Sequence, residues 1–173
     1  MAVLPILKLP HPVLREKALP VERVDADLRR LLRDMLETMY DAPGIGLAGP
    51  QVGVSRRVLV IDTARDEEPK APRLLINPEI LSAGDIRRSH EEGCLSIPEV
   101  YAEVERPALV RVRYLDEEGR AREEDFNDLL ATVVQHEIDH LDGVLFVDHL
   151  SRLKRDLLIK RFLKAQREKA DTV

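Results

Sequence analysis

The most constraining feature of this 173-residue chain is an apolar run that leads directly into a cluster of ionisable residues. Residues 129–134 read Leu-Leu-Ala-Thr-Val-Val and would cover nearly the whole circumference of an α-helix. A helix that is apolar all round is buried, so the segment predicts a central helix from about Asp125 to Leu141. Gly143 fits the position just beyond the end of that helix.

The ionisable cluster is the HExxH sequence His136-Glu137-Ile138-Asp139-His140. Histidines four residues apart lie one turn apart on one helix face, so both imidazoles can reach a single metal ion. Glu137 lies beside His136, where it can accept a proton from water on that metal. Burying these groups is costly unless a metal or partners satisfy them, which favours a metal site over a chance pentapeptide.

Two histidines and an open water position require a third protein ligand. Phe146 stands where one metalloprotease class has its third histidine, and the only downstream glutamate, Glu168, lies in a charged tail. The remaining candidates are upstream acidic residues, the single cysteine and three histidines, His11, His90 and His149. A thiolate suits Zn²⁺ or Fe²⁺, so the hypothesis is a site of Cys94, two histidines and water.

Composition limits the compartment and the class of partner. No apolar run approaches the about 20 residues of a membrane helix, and the first residues lack the features of a signal peptide. A single cysteine gives no sign of an oxidising compartment. We therefore expect one cytoplasmic catalytic domain over residues 1–173, with no membrane association.

Charge is unevenly distributed along the chain. The net charge of −5 excludes a uniformly basic nucleic-acid binder. Residues 151–173 nevertheless contain eight basic side chains against three acidic ones. We expect a basic helix over about 151–169, with Leu153 and Leu157 as its apolar stripe.

Periodicity predicts the other elements and an α+β fold. Apolar residues at helical spacing from Leu28 to Met39, with Asp25 or Asp27 as N-cap, predict a helix that ends near Tyr40. Short strands are expected at 58–61, at 74–76 and across the alternating segment 110–114, which a turn at 116–119 follows. Prolines in residues 1–20 predict an extended arm on the body.

Residues 44–49 spell GxGxxG, the dinucleotide fingerprint, but in the reverse structural context. That motif follows a strand and opens a helix, whereas in this chain a helix precedes it and a strand follows. No dinucleotide is therefore expected. Either the glycines form only a tight connection, or they bring backbone groups close to an extended ligand, with Gln51 as an amide donor.

Three segments taken together resemble the signature motifs of bacterial peptide deformylase, in that family's order and spacing. They are GIGLAGPQ at 44–51, EGCLS at 92–96 and QHEIDH at 135–140. The resemblance implies a fold of antiparallel sheets packed around the central HExxH helix, with N-terminal and C-terminal helices. It also implies removal of the formyl group from the formyl-methionine of nascent polypeptides, with release of formate.

The resemblance assigns roles to individual residues. It implies that Cys94, His136 and His140 ligate a divalent metal, Fe²⁺ physiologically, with Zn²⁺, Ni²⁺ or Co²⁺ as other occupants. Metal-bound hydroxide would attack the formyl carbon, with Glu137 as general base and then general acid. The remaining implied residues are the oxyanion donors, Gln51 and the N–H of Leu95, the peptide-binding Gly44, Ile45 and Gly46, and Leu129 and Val133 in the methionine pocket.

Several further expectations are tied to this resemblance. Pro43 and Tyr101 stand where some family members carry charged residues that contact the peptide. The basic helix over 151–169 is either a solvated face or a contact to ribosomal RNA near the exit of the nascent chain. The rival functions are an HExxH peptidase that cuts internal peptide bonds and a non-catalytic protein with a structural metal site.

Overall fold

The computed structural model describes residues 2–171, which form an α+β fold as predicted. Its helices are α1 (Ala26–Asp41), α2 (Asp128–Leu141) and α3 (Arg152–Asp171). Its strands are β1 (Gly46–Ala48), β2 (Val58–Ile61), β3 (Arg73–Ala83), β4 (Arg87–Cys94), β5 (Ile97–Pro107), β6 (Leu109–Leu115) and β7 (Ala121–Asn127). Over the described residues, none of the helices combines the length and apolar character needed to cross a membrane.

The strands form two antiparallel sheets. Five strands follow the order β1-β2-β3-β6-β7, while β4 and β5 form a separate two-stranded sheet. Strand β1 is therefore an edge of the larger sheet, paired with β2 on one side only. Helix α2 contacts strands of both sheets, so it lies between them and carries its side chains into the core.

Helix α1 begins and packs as the sequence pattern predicts. The Asp25 side chain accepts a hydrogen bond from the Leu28 N–H at 2.9 Å, which satisfies one of the free donors of the first turn. The apolar stripe is buried against β1 and β2 through Leu28, Leu32, Met35 and Met39. The helix ends at Asp41, one residue beyond the predicted end.

Helix α2 is buried as predicted, but it starts later than predicted. Residues 125–127 belong to strand β7, where Phe126 is buried and opposes Val110 of β6. The alternation of charged residues with Phe126 matches the two-residue period of a strand, which outweighs the helical pattern in this segment. After Leu141 the chain leaves the helix through Gly143, whose φ of +75° is the left-handed conformation expected of a helix stop.

The predicted apolar stripe of α3 is wrong. Leu153 is 82% exposed and Leu157 is 45% exposed, whereas Phe162 is 3% exposed and packs with Leu158 against the core. The packed face instead begins at Leu158, because Leu158, Ile159, Phe162 and Leu163 form a longer helical repeat than the two leucines.

Candidate active site

One thiol and two imidazoles meet at the centre of the molecule. Helix α2 presents His136 and His140 one turn apart, and their ring centroids are 5.0 Å apart. Cys94 is the last residue of β4, in the sheet that packs on the other side of α2. The candidate ligand atoms of the three residues all lie within 4.8 Å of one another, with Cys94 Sγ 3.3 Å from His140 Nε2. The structure thus brings together the three residues that the sequence motifs single out.

The surroundings of the two histidines leave ring nitrogens available for a metal. Nδ1 of His136 lies 2.9 Å from Oε1 of Glu92, which fixes the ring and leaves Nε2 free to ligate. Burial lowers the pKa of His136, but its neighbours Glu137, Cys94 and Glu92 raise that pKa well above the ordinary value. Burial and the charge of His136 lower the pKa of His140 well below the ordinary value, which keeps that imidazole neutral.

A buried ion-pair network extends from His136 and escapes the sequence analysis. Arg106 donates to both carboxylate oxygens of Glu92, at 2.7 and 3.0 Å, and to Asp139 at 2.9 Å. Asp139 also lies 2.8 Å from Nε2 of His149. Burial alone would raise the pKa of Glu92, but hydrogen bonds from His136 and Arg106 lower it. The sequence signals for this network were the positions of Glu92 in the EGCLS segment and of Asp139 in the HExxH segment.

The other histidines considered as ligands lie elsewhere. Nδ1 of His11 accepts a hydrogen bond from the Val13 N–H at 3.2 Å, where it caps a 3₁₀ turn. Nδ1 of His90 lies 3.0 Å from the hydroxyl of Thr132. His149 lies against Asp139, as described above. Each of these three histidines therefore has a hydrogen-bond partner other than Cys94.

Glu137 has the environment of a proton carrier. Burial raises the pKa of its carboxyl to about 7, and its Oε1 has no hydrogen-bond partner among the described residues. Its other oxygen lies 4.0 Å from Nε2 of His136 and faces β1, where a Cβ on Gly46 would lie 2.5 Å from it. A carboxyl with a pKa near neutrality can both accept and release a proton at physiological pH.

Gln51 and Leu95 both lie beside Cys94. The Gln51 side chain, 1% exposed, lies 3.5 Å from Cys94 Sγ through its Nε2. Leu95 and Ser96 form the two-residue turn between β4 and β5, in which Cys94 pairs with Ile97. The structure thus places both predicted oxyanion donors next to the cysteine.

A cavity of about 530 Å³ opens onto these groups. Its wall includes all of the residues predicted to bind the peptide, namely Gly44, Ile45, Gly46, Leu129 and Val133. Val133 is 5% exposed at the inner end, whereas Leu129 is 43% exposed. Pro43 and Tyr101 also line the cavity, and Tyr101 is 62% exposed.

Comparison with known proteins identifies the family. The polypeptide deformylase family model matches residues 3–156. The peptide deformylase of Agrobacterium fabrum is 59% identical over 169 residues, covering 98% of this chain and 99% of that protein. The peptide deformylase of Mesorhizobium japonicum is 58% identical over 170 residues, covering 98% and 97% respectively.

Solved structures give the same result. The crystal structure of peptide deformylase from Ehrlichia chaffeensis in complex with actinonin superposes with a TM-score of 0.91 at 38% identity, covering 96% of this chain and 99% of that one. A peptide deformylase structure from Legionella pneumophila gives 0.89 at 46% identity, with 98% of each chain covered. The resemblance seen in the three motifs is thereby confirmed. The chain belongs to the polypeptide deformylase family, metal-dependent hydrolases that remove the formyl group from the N-terminus of nascent peptides.

Proposed function

We propose that this chain, acting as a single catalytic domain, hydrolyses the N-terminal formyl group of formyl-methionyl peptides in the cavity described above. The observation that carries the proposal is the meeting of Cys94, His136 and His140 beside a carboxyl whose pKa is about 7. Cys94, His136 and Glu137 line the cavity, and His140 lies directly behind them, 3.3 Å from Cys94 Sγ through its Nε2. We place the reaction in the cytoplasm, where nascent chains are produced.

The three side chains fit a divalent metal as a shared partner. Both histidines are buried, and Nδ1 of His140 has no hydrogen-bond partner among residues 2–171. One thiolate and two imidazoles are donors that Fe²⁺, Zn²⁺, Ni²⁺ and Co²⁺ accept. Structural zinc has four protein ligands, whereas the candidate ligand group formed by the described residues has three members. We therefore favour a catalytic site and propose Fe²⁺ as its physiological metal.

Glu137 carries the proton in this proposal. A divalent metal, when bound, supplies an acidified water as nucleophile and polarises the formyl oxygen. The Glu137 carboxylate accepts the proton of the attacking water and then delivers it to the departing amine nitrogen, which leaves poorly unless it is protonated. Its unpartnered Oε1 is the atom available for that proton.

The oxyanion donors are assigned to the turn beside Cys94. The side-chain N–H of Gln51 and the backbone N–H of Leu95 would both donate to the formyl oxygen as negative charge develops on it. Each such donor is typically worth about 3 kcal/mol of transition-state stabilisation. The 3.5 Å between Gln51 Nε2 and Cys94 Sγ supports this assignment, because it puts the donor beside the proposed metal.

The edge strand β1 offers a backbone template for the peptide. Ile45 pairs with Asp62, whose N–H donates to the Ile45 carbonyl at 2.9 Å, so the polar backbone groups of Gly46 point away from β2. Since Gly46 lines the cavity, an extended peptide can add to this edge as a further strand. The methionine side chain would then lie against Leu129 and Val133.

The proposal is tested by the choice of substrate. Anaerobically purified protein should release formate from formyl-Met-Ala. We propose that the space beside the formyl carbon admits hydrogen but not a methyl group, so acetyl-Met-Ala should be a poor substrate. Casein should remain uncut, because a cavity of this size holds one peptide end rather than a long chain. Equal hydrolysis of formyl and acetyl peptides, or cleavage of casein, would contradict the proposed reaction.

We also propose that α3 contacts ribosomal RNA near the exit of the nascent chain. Its outward face exposes Lys160, Arg161 and Lys164, and such a cluster binds phosphates in a salt-dependent manner. Charge reversal at these three positions should weaken ribosome binding without changing formyl-Met-Ala hydrolysis. The matched control is a variant that combines Lys160→Arg and Lys164→Arg, which retains the positive charge at all three positions. Equal ribosome affinity of the two variants would rule out the RNA contact.

A further inference from the structure

The carboxamide of Gln51 is held by two buried hydrogen bonds that together fix its orientation. Its Oε1 accepts from the Ala48 N–H at 3.0 Å, and its Nε2 donates to the hydroxyl of Ser96 at 3.1 Å. A terminal amide torsion is broad and nearly two-fold when nothing restrains it. With both bonds made, one N–H is consumed by Ser96, and the second points towards Cys94 Sγ.

Ser96 stands where it can link the proposed catalytic groups. It is fully buried, with 0% exposure, and follows Leu95 in the β4–β5 turn. Its backbone carbonyl accepts the Leu9 N–H at 3.0 Å, and the Gln51 carbonyl accepts the Leu7 N–H at 2.8 Å. Leu7 and Leu9 of the N-terminal arm thus bind the backbones of both Gln51 and Ser96. These shared contacts restrict movement of the Ser96 hydroxyl relative to Gln51.

We infer that Ser96 is a positioning residue for the reaction, whose hydroxyl holds the Gln51 amide so that its second N–H, the one beside Cys94 Sγ, can donate to the formyl oxygen. The inference rests on the proposed oxyanion role of Gln51. Without the Ser96 hydroxyl, the hydrogen bond from the Ala48 N–H to Oε1 would be the remaining restraint from that side of the amide. The amide plane could then rotate, and its N–H would no longer point towards the formyl oxygen. One buried N–H of Gln51 would also lose its acceptor.

A double-mutant cycle separates positioning from a purely structural contribution. Deleting an oxyanion donor costs about 10²–10³-fold in kcat, and misdirecting one should cost a part of that, about tenfold. Ser96→Ala should therefore lower kcat for formyl-Met-Ala about tenfold with little change in KM. Gln51→Ala should lower it about 100-fold, and adding Ser96→Ala to Gln51→Ala should cause no further loss. Ser89→Ala, on exposed β4, is the matched control and should retain full activity.

An NMR measurement reports the same hydrogen bond without activity. The chain has only three glutamines and two asparagines, so the side-chain amide signals of the Zn²⁺-loaded protein are few. The Gln51 pair is the one that disappears in Gln51→Ala. In Ser96→Ala one proton of that pair should shift upfield and exchange faster with water, whereas Ser89→Ala should leave both unchanged.

The outcomes distinguish the inference from the function on which it rests. Near-normal kcat in Gln51→Ala would overturn the oxyanion role, and the positioning role of Ser96 with it. A large loss in Gln51→Ala with an unaffected Ser96→Ala would overturn only the role of Ser96. The role of Ser96 would also be overturned if Ser96→Ala lowered kcat tenfold both in the wild type and in Gln51→Ala. It would likewise be overturned if the Gln51 amide signals did not change in Ser96→Ala.

Discussion

Glu137 lies on α2 and Gly46 on β1, and their close approach leaves no room for a side chain at position 46. A Cβ at Gly46 would lie 2.5 Å from Oε2 and 2.9 Å from Cδ of Glu137. The carboxyl would have to move away from β1, towards the cavity that it lines, to make room for that Cβ. The absence of a side chain at Gly46 therefore lets the Glu137 carboxyl lie directly against β1, which is the arrangement that the proposed mechanism requires.

Gly46→Ala should consequently lower kcat/KM for formyl-Met-Ala about 100-fold, because a displacement of about 1 Å in a catalytic group has an effect of that size. Formate release from the purified variant measures this. Gly84→Ala is the control, since the nearest atom to its added Cβ is the Leu109 Cβ at 3.4 Å. Activity equal to that of the control would mean that Glu137 does not need its present position.

At the scale of single residues, the sequence predicted which side chains meet at the candidate site but not what supports them. The HExxH spacing pointed to His136 and His140 because helical geometry is local. Glu92 and Ser96 gave no comparable signal, because their roles depend on contacts with residues more than 40 positions away. Such contacts are set by tertiary packing, which no local period encodes.

Among the elements, β5 and α2 are joined by the buried guanidinium of Arg106. It holds the carboxylates of Glu92 and Asp139, whose pKa values are both below the ordinary range despite burial. A lowered carboxyl pKa stabilises the fold above the ordinary pKa of about 4, and this stabilisation is lost as the pH falls through the native value. His136 and Arg106 lower the pKa of Glu92, and His149 and Arg106 lower that of Asp139, so Arg106 is the partner that the two carboxylates share in stabilising the fold at neutral pH.

Replacement of Arg106 by Met should remove the stabilisation that the buried guanidinium gives to the fold. Removing one partner of a buried ion pair typically costs about 3–5 kcal/mol, because the remaining charges stay buried without compensation. Arg106→Met should lower the free energy of unfolding by that amount at pH 7 and move acid unfolding to higher pH. Circular dichroism of the metal-free protein measures both quantities.

Arg88→Met provides the comparison, because Arg88 opposes Arg106 in the β4–β5 register and makes an exposed ion pair with Asp128 at 3.1 Å. It should cost less than about 1 kcal/mol. If the two variants unfold at the same pH and with the same free energy, the buried network does not stabilise the fold.

Helix α3 offers a test of which apolar face attaches it to the body. Phe162→Ala should destabilise the protein by about 3–5 kcal/mol, since it empties a buried aromatic site. Leu153→Ala, at an 82% exposed position, should stay within about 0.5 kcal/mol of the wild type. Urea unfolding measures both, and the opposite ranking would mean that the helix packs through its leucine stripe.

The elements show where sequence periodicity succeeds and where it fails. Helix α1 was predicted to within one residue because its cap and apolar stripe agree. Strands β4 and β5 were missed: β4 is mostly polar, with Glu92 buried, and so lacks the apolar alternation of a half-buried strand. Cys94 was therefore predicted as a ligand without any prediction of the strand that carries it.

Across the whole molecule, the site depends on three distant segments that meet around α2. Gln51 follows β1, Cys94 ends β4, and the histidines lie on α2, which packs between the two sheets. Ligand chemistry predicted that Cys94 meets the two histidines, and the family resemblance added Gln51, whereas periodicity alone predicted neither contact. The physical reason is that each sheet buries its apolar face against the same helix, which brings the strand ends to one place.

The most direct test of the account is formate release from formyl-Met-Ala, measured on the same samples whose bound metal is determined. For the wild type, activity should rise with metal content up to about one ion per chain. Glu137→Ala should bind the same amount of metal and lose about 10²–10⁴-fold in rate. Full activity in metal-free protein, or in the Glu137 variant, would contradict the account.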